Sequence, residues 1–306
     1  MAKSQYEGYT CQAPTILVRE EFGAAKIYAS QAQSLLNKAT GFIGSYDFTL
    51  NPYRGCQYGC SYCYATAFSP NPQMRQDWGN WVIVKQNAAE LLAKELAAWD
   101  KKHPGIPARI YMSSVTDPYQ PIEFKEELTK TLLQVMLPYQ PTLVIQTRSP
   151  MIVRDMEILK NFRRLRVNMS IPTGSESVRK DFEPRSPSIA ARIRAIGKLK
   201  YNIPFNEEHE AKFSITITPL LPTFPADQIK FISKLAIVDR IVIQDFHPTG
   251  KGLLTASTRP EAEALKNKYL WWYDNETEKY QQFKANLISQ LPDIEIMEGK
   301  AGFGYD

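Results

Sequence analysis

The run NPYRGCQYGCSYCYA, residues 51–65, holds three of the four cysteines of this 306-residue chain. Cys56, Cys60 and Cys63 follow the spacing C-x3-C-x2-C. Eight residues span at most roughly 26–29 Å even when fully extended. We therefore expect the three thiols to fold around one common object, and we expect the rest of the chain to build the chamber in which that object works.

Composition indicates a globular protein of ordinary kind. Hydrophobic residues make up 43% and charged residues 23% of the chain, and the net charge is only +5. This weak basic excess does not by itself argue for a nucleic-acid partner. No apolar run approaches the 18 residues that a spanning helix needs. The first residues, MAKSQYEGYT, lack the apolar segment of a secretory signal. We therefore expect a cytoplasmic protein whose cysteines are ligands or catalysts rather than disulfides.

Hydrophobic patterning predicts alternating strands and helices. The predicted strands are 46–50, 81–85, 109–114, 142–147, 166–171, 212–217 and 240–243. The predicted helices are 87–99, 121–136, 151–162, 188–199, 225–238 and 261–291, the last with a break near Asn275. Such alternation specifies parallel βαβ units. Six units follow the start of the cysteine run, fewer than the eight of a closed barrel. The predicted fold is therefore α/β, with a parallel sheet in a partial (β/α)6 barrel.

Three regions are expected along the chain. They are a short N-terminal extension (1–43), the partial barrel (44–250) and a helical C-terminal extension (251–306), whose tail could add one strand. In sheets of this kind ligands bind at the carboxyl ends of the strands. The polar segments that should meet there are 56–63, 113–117, 147–149, 170–173 and 244–247. Their convergence predicts a single active site.

Four interpretations of the cysteine run are open. A disulfide would leave one thiol of the trio unused. A structural zinc site needs a fourth ligand, and a four-cysteine cluster would need Cys11. The other candidate zinc ligands are His103, His209 and His247, none of them at knuckle spacing. The remaining interpretation is a [4Fe–4S] cluster held by three thiolates, which leaves one iron open to a small molecule.

The cysteine spacing, with the aromatic Tyr62 before the last thiol, resembles the signature of the radical S-adenosylmethionine superfamily. Further motifs follow in an order that resembles the spore photoproduct lyase-like branch. They are NPYRGC, SVTDPYQPIE (114–123), IQTRSP (145–150), RDMEIL (154–159), FEPRSP (182–187) and TPLLP (218–222).

This resemblance implies that S-adenosylmethionine binds the open iron and is cleaved reductively to a 5′-deoxyadenosyl radical, which takes a hydrogen atom from a substrate. It implies a reductant such as flavodoxin or ferredoxin as partner. It also implies site residues: Tyr62 near the adenine, Ser114, Thr116 and Asp117 near the amino group, Arg148 at the carboxylate and Ser170 at the ribose. Asp117 could instead cap a helix, Arg148 form a surface ion pair and Ser170 be a plain buried hydroxyl.

The resemblance to the photoproduct lyases does not extend to the residue that acts on their substrate. The photoproduct lyases carry a cysteine that returns a hydrogen atom, and the corresponding place here is Ser113–Ser114. A hydroxyl group cannot replace a thiol as hydrogen donor. We therefore expect a ribosomally made peptide whose backbone is cut or spliced, by a lyase acting on a C–C or C–N bond. A small partner protein could present that peptide, with the aromatic helix 269–280 as docking surface. The alternatives are lesion repair or base modification on nucleic acid, and a cluster protein that only binds or transfers electrons.

Overall fold

The computed structural model describes residues 16–23, 25–246 and 260–306, which form two β-sheets and their covering helices. The twelve strands of these residues are β1 Ile16–Phe22, β2 Ala25–Ser30, β3 Leu36–Lys38, β4 Phe48–Leu50, β5 Tyr53–Arg54, β6 Trp81–Lys85, β7 Arg109–Met112, β8 Thr142–Thr147, β9 Arg164–Ser170, β10 Glu210–Ile217, β11 Arg240–Ile243 and β12 Glu295–Glu298.

The main sheet has eight strands in the order β12-β11-β10-β9-β8-β7-β4-β3. All neighbours pair in parallel except β3 and β4, which are antiparallel. Spatial order follows chain order, as expected for successive βαβ units. The predicted α/β partial barrel with a parallel sheet is confirmed, and the C-terminal tail does add a strand, β12.

Eleven α-helices connect and cover the strands within the described ranges. They are α1 Pro72–Gln76, α2 Ala88–Lys102, α3 Glu123–Glu126, α4 Leu128–Met136, α5 Met156–Leu159, α6 Glu176–Phe182, α7 Ile189–Asn202, α8 Pro225–Lys234, α9 Pro260–Lys268, α10 Leu270–Tyr273 and α11 Glu276–Gln290. The predicted break near Asn275 is confirmed, because α10 ends and α11 begins on either side of it.

The two faces of the main sheet differ in chemistry. In β9 the buried Val167 and Met169 belong to the large apolar core that the helices cover. The alternate residues, among them Asn168 and Ser170, lie on the opposite, concave face, because side chains alternate along a strand. The concave face of this partial barrel is therefore polar, and it leads up to the carboxyl ends of the strands.

The C-terminal tail covers the other end of the concave face. Arg166, near the start of β9, donates from Nε to the carbonyl oxygen of Tyr305 (2.7 Å). Arg240, the first residue of β11, donates to the carbonyl oxygen of Gly304 (3.0 Å). Tyr46 donates to the carbonyl oxygen of Phe303 (2.8 Å). The tail thus contacts the amino ends of the strands, and the carboxyl ends remain for the site.

One predicted barrel strand lies elsewhere. Trp81–Lys85 forms a strand, but it belongs to a second sheet of order β1-β2-β6-β5. It pairs in parallel with β2 and antiparallel with β5. The first parallel strand of the barrel is instead β4, directly before the cysteine run. A buried, β-branched run specifies a strand without specifying its partners, which explains the error.

The helix predicted over 121–136 is interrupted at Glu127, which adopts the left-handed conformation (φ 47°). The cause lies in Glu123, whose carboxylate accepts from the backbone N–H groups of Thr129 (2.9 Å) and Lys130 (3.3 Å). This side chain caps a new helix start inside the predicted helix. The predicted helix 151–162 is likewise shorter, a 3-10 segment Pro150–Asp155 followed by α5.

The expected division into 1–43, 44–250 and 251–306 stays a prediction. Strands from both outer regions, β3 and β12, pair with the main sheet. The boundary near residue 250 lies outside the described residues, as do Cys11 and His247.

Candidate functional site

The cysteine run begins where β4 ends and passes through β5, which pairs with β6 of the second sheet. Two tight turns then bring the chain back on itself: the Gly59 N–H donates to the carbonyl of Cys56 (3.3 Å), and that of Cys63 donates to the carbonyl of Cys60 (3.2 Å). The predicted location of the three thiols at the carboxyl ends of the parallel strands follows from this path.

Gly55 makes the sharp entry to this loop possible. Its φ is +83°, and a Cβ added there would lie 2.6 Å from two ring atoms of Trp81 and 2.7 Å from the Trp81 carbonyl oxygen. Trp81 is itself buried and donates its indole N–H to the carbonyl of Met74 (2.5 Å). Only glycine combines this backbone conformation with so close an approach.

The loop is held from one side by three residues of the segment SVTDPYQPIE (114–123), namely Thr116, Gln120 and Ile122. Thr116 donates its hydroxyl to the carbonyl of Gly55 (2.6 Å). Gln120, which is fully buried, accepts from the backbone N–H of Gln57 (2.9 Å), and the Gln57 side chain accepts in turn from Ile122 N–H (2.7 Å). These bonds satisfy the buried polar groups of both segments, so the loop is fixed against the end of β7.

The end of α6 holds the loop from the other side. The backbone N–H and the hydroxyl of Ser61 both donate to the carbonyl of Phe182, at 2.9 and 3.3 Å. The Phe182 ring lies 6.4 Å from that of Phe246 and 5.7 Å from that of Tyr269, measured between centroids. The aromatic rings therefore cover this side of the loop, and they connect it to α9 and α10.

The thiols are largely shielded from solvent, and they affect one another's pKa. Cys56 and Cys60 are buried, and Cys63 is half-buried. Burial raises the pKa of Cys60 to about 12, against the opposing effect of Arg148. Burial, Asp117 and the other two thiols raise the pKa of Cys56. Burial thus opposes thiolate formation at Cys56 and Cys60, and a bound metal would offset that cost.

The donor set fits an iron–sulfur cluster. Within the described ranges, no group of three or more His, Cys, Asp or Glu side chains is placed to hold a single metal ion. A cluster requires a wider spacing of its donors than a single ion does, because each thiolate bonds its own iron. The cysteines form no disulfide, and all three lie on one loop at the strand ends.

Arg148 is a cation in direct contact with the loop. It follows β8, and its backbone N–H donates to Asp117 (2.8 Å). Its guanidinium Nη1 lies 2.7 Å from the sulfur of Cys60 and 3.2 Å from the hydroxyl of Tyr62, and it pairs with Glu183. The alternative of a surface ion pair is wrong, since only 17% of the side chain is exposed and its partner is fully buried.

Glu183 is the site residue that sequence reasoning missed. It lies in the FEPRSP motif, to which no role had been given, directly after α6. It is fully buried, accepts from the Tyr62 hydroxyl, and pairs with both Arg148 and Arg192 (2.6 Å to Arg192 Nη2). Burial alone would raise the pKa of Glu183, but the two guanidiniums outweigh it and hold the pKa below its usual value.

Asp117 is buried at the end of β7 and acts as an acceptor for three groups. Its carboxylate accepts from Tyr119 N–H (2.9 Å), Thr147 Oγ1 (2.7 Å) and Arg148 N–H (2.8 Å). Burial raises its pKa, although these hydrogen bonds oppose the rise. The carboxylate thus ties the end of β8 to the turn after β7. The alternative that Asp117 caps a helix is wrong, because Tyr119 lies in a turn and α3 begins only at Glu123.

The other predicted residues lie around the same rim. Tyr62 is buried against Phe246, with ring centroids 6.3 Å apart. Ser170 ends β9, is 4% exposed, and its carbonyl accepts from Arg192 (3.0 Å). Ser114 is half-buried, and its carbonyl accepts from the hydroxyl of Tyr64. The structure therefore brings all nine predicted site residues to one end of the partial barrel.

The concave face below Arg148 carries neutral polar side chains. Tyr111 donates to Gln146 (3.0 Å), and Gln146 donates to Thr216 (2.8 Å). Asn168, the strand neighbour of Gln146, is fully buried. Tyr111, Gln146 and Thr216 thus orient one another without a formal charge among them.

A three-thiol loop at the carboxyl ends of a parallel partial barrel is typical of α/β proteins that bind an iron–sulfur cluster. The model of the radical SAM superfamily matches residues 50–236. The chain belongs to this superfamily, and its cofactors are a [4Fe–4S] cluster and S-adenosylmethionine. Within the described residues, no helix is long and apolar enough to span a bilayer.

Relatives of this chain have been described without an assigned activity. It is 36% identical over 175 residues to "Uncharacterized protein MJ0683" of Methanocaldococcus jannaschii, which covers 57% of this chain and 61% of that protein. It is 25% identical over 192 residues to "Uncharacterized protein Rv2578c" of Mycobacterium tuberculosis, covering 59% and 54%. The chain thus aligns with less than two thirds of the length of these relatives.

Among solved structures, the fold is similar to that of a spore photoproduct lyase. The TM-score is 0.58 at 15% sequence identity, over 88% of this chain and 81% of that one. A spore photoproduct lyase variant with bound AdoMet and dinucleoside spore photoproduct gives the same TM-score at 14% identity, covering 88% and 80%. At these identities the likeness concerns the fold alone.

Proposed function

We propose that Cys56, Cys60 and Cys63 hold the [4Fe–4S] cluster and leave its fourth iron to S-adenosylmethionine. When bound, the cluster supplies the electron that cleaves S-adenosylmethionine to methionine and the 5′-deoxyadenosyl radical, which abstracts hydrogen from a substrate. The observation that carries this proposal is the buried three-thiol loop, held from both sides at the carboxyl ends of the strands. A flavodoxin or ferredoxin would deliver the electron in the cytoplasm.

The surrounding residues divide into contacts and supports. Arg148 would receive the carboxylate of S-adenosylmethionine, because a guanidinium offers paired N–H donors to a carboxylate. Tyr62 would lie by the adenine, and Ser170 by the ribose. Ser114 would face the amino group. Asp117 and Thr116 are engaged with backbone groups of the rim and the loop, so we assign them to positioning.

The substrate we propose is a ribosomally made peptide, with cleavage of a backbone C–C or C–N bond. The neutral amides and hydroxyls of the concave face, Gln146 and Asn168 among them, match the hydrogen-bonding groups of a peptide backbone. Near the loop, Arg154, Arg179 and Arg192 pair with acidic side chains of the fold, and we assign the open edge of Arg148 to S-adenosylmethionine. A phosphate chain would have to displace those partners, which favours an uncharged substrate over nucleic acid.

The cluster assignment is tested by paired cysteine variants. Reconstituted Cys60→Ala should lose the brown chromophore and all reductive formation of 5′-deoxyadenosine. Cys11→Ala is the matched control and should keep both. If Cys11→Ala also loses the chromophore, the four-cysteine interpretation is right. If Cys60→Ala keeps both, the radical proposal fails.

The substrate assignment is tested in two arms. In the first, the protein is co-expressed with small open reading frames that neighbour its gene, and peptides are analysed by mass spectrometry for backbone cleavage or splicing. In the second, binding of DNA and RNA oligonucleotides is measured at about 50 mM salt and above. A modified peptide supports the proposal. Tight, steeply salt-dependent oligonucleotide binding without any modified peptide overturns it in favour of the nucleic-acid alternative.

A further inference from the structure

Glu183 is attached firmly to the fold through Arg192. Arg192 is fully buried on α7 and pairs with Glu183 Oε2 at 2.6 Å. It also donates from Nε to the carbonyl of Pro187 (2.9 Å) and from Nη1 to the carbonyl of Ser170 (3.0 Å). Three contacts thus fix this guanidinium, and with it one oxygen of the carboxylate.

The second oxygen of Glu183 fixes Arg148. This oxygen, Oε1, pairs with Arg148 Nη1 and accepts from the hydroxyl of Tyr62. All hydrogen bonds that the described residues make with the Arg148 side chain end at Nη1: those to Cys60, Tyr62 and Glu183. The other edge of the guanidinium, Nε and Nη2, makes none with them.

That edge has the geometry of a carboxylate site. Nε–H and Nη2–H point in parallel, and such a fork binds both oxygens of a carboxylate at once. A free arginine side chain has many rotamers, and most of them would turn this edge elsewhere. Pinning Nη1 restricts the guanidinium to orientations in which the fork faces away from Glu183.

We propose that Glu183 is a positioning residue: by pinning Nη1 of Arg148 it presents the Nε–Nη2 edge to the carboxylate of S-adenosylmethionine. This inference rests on the proposed function, since it assumes that S-adenosylmethionine is the ligand. The competing explanation is that Glu183 only neutralises two buried guanidiniums and has no effect on the ligand beyond stability.

The test is a double-mutant cycle on cluster-loaded protein, read out as the dissociation constant of S-adenosylmethionine. Glu183→Gln should weaken affinity about tenfold or more while iron content stays at the wild-type level. Arg148→Met should weaken it at least as much. If Glu183 acts through Arg148, adding Glu183→Gln to Arg148→Met should cost no further affinity, because the two effects are coupled.

Glu123→Gln is the matched control. Glu123 is also fully buried, also accepts from a tyrosine hydroxyl (Tyr53) and also pairs with an arginine (Arg154, 2.6 Å). Glu123 makes no hydrogen bond with the described residues of the cysteine loop from 55 to 63. This variant should lose stability to urea as Glu183→Gln does, yet bind S-adenosylmethionine as wild type does.

Three outcomes overturn the inference: equal affinity losses in Glu183→Gln and Glu123→Gln, additive losses in the cycle, or wild-type affinity in Glu183→Gln. Should Glu183→Gln fail to fold, Arg192→Lys serves instead, since it keeps the charge but loses the fork. It should weaken binding less than Arg148→Met, and wild-type affinity in Arg192→Lys overturns the inference. Failure of the wild-type protein to bind S-adenosylmethionine or form 5′-deoxyadenosine would instead overturn the proposed function, so the two failures are distinguishable.

Discussion

Replacing Gly55 by alanine should displace the entry to the cysteine loop. The new Cβ would lie 2.6 Å from two ring atoms of Trp81 and 2.7 Å from its carbonyl oxygen. The indole cannot easily move, because it packs edge-on against Trp78 with centroids 5.7 Å apart and donates to Met74. The backbone of residue 55 must therefore shift, and with it Cys56.

The expected loss of unfolding free energy on Gly55→Ala has two parts. A non-glycine residue at φ +83° costs roughly 1–2 kcal/mol, and forcing an atom into a packed site costs a further 1–3 kcal/mol or so. Gly105→Ala separates them. Gly105 has φ +74° but no atom within 4 Å of an added Cβ, so only the backbone part applies. We expect Gly55→Ala to lose about 2–5 kcal/mol of unfolding free energy and Gly105→Ala about 1–2 kcal/mol.

The assay is urea unfolding of both variants, with iron content per chain after reconstitution as a local readout. Gly55→Ala should take up less iron than wild type, whereas Gly105→Ala should take up the same amount. If Gly55→Ala loses no more stability than Gly105→Ala and loads iron normally, the contact with Trp81 does not hold the loop, and the reasoning is refuted.

Two further predictions concern the C-terminal helices. Burial raises the pKa of Glu276 to about 7 from an ordinary 4.5. Between these pH values the folded state retains a proton that the unfolded state releases. The contribution of Glu276 to the free energy of unfolding is therefore complete below pH 4.5 and is lost as pH rises through 7. Glu276→Gln should therefore gain about 1 kcal/mol over wild type at pH 8, discounted for partial exposure, and nothing at pH 4.5, as checked by urea unfolding at both pH values. Leu270 and Trp271 are the exposed large hydrophobic residues of the predicted docking helix. Leu270→Ser combined with Trp271→Ser should leave 5′-deoxyadenosine formation unchanged and weaken peptide binding in a fluorescence anisotropy titration. Unchanged peptide binding would exclude a docking role for this surface.

The parallel strands of the main sheet could be predicted because each is decided locally. Runs such as TLVIQT (142–147) and KFSITI (212–217) are β-branched, buried and followed by turn-forming prolines, and each is a strand in the structure. Their alternation with helices leaves few topologies, since parallel crossovers are right-handed and sequential strands are usually neighbours. The cysteine loop could be predicted for the same reason: its chemistry is contained in eight consecutive residues.

Features that depend on distant partners could not be predicted. The run WVIVK (81–85) is as strand-like as the barrel strands, but its partners β2 and β5 assign it to the second sheet. The interruption at Glu127 comes from the carboxylate of Glu123. Contacts with Tyr53 and Arg154 hold this carboxylate in the fold, where it caps the helix start instead of facing solvent. In the docking helix predicted over 269–280, Tyr269, Trp272 and Tyr280 are buried against the fold, whereas Leu270 and Trp271 are exposed.

The three buried carboxylates near the loop show what the sequence alone leaves undecided. Asp117, Glu123 and Glu183 all lie in polar motifs, and the resemblance assigned a ligand role only to Asp117. Asp117 accepts from two backbone N–H groups, and Glu123 likewise accepts two, so both order the main chain. Among the described residues, the Glu183 carboxylate has only side-chain partners, the tyrosine and two guanidiniums. A carboxylate whose partners are side chains at the thiol loop can influence a ligand through those side chains. We therefore expect the neutral variant of Glu183, rather than that of Asp117, to change the affinity for S-adenosylmethionine.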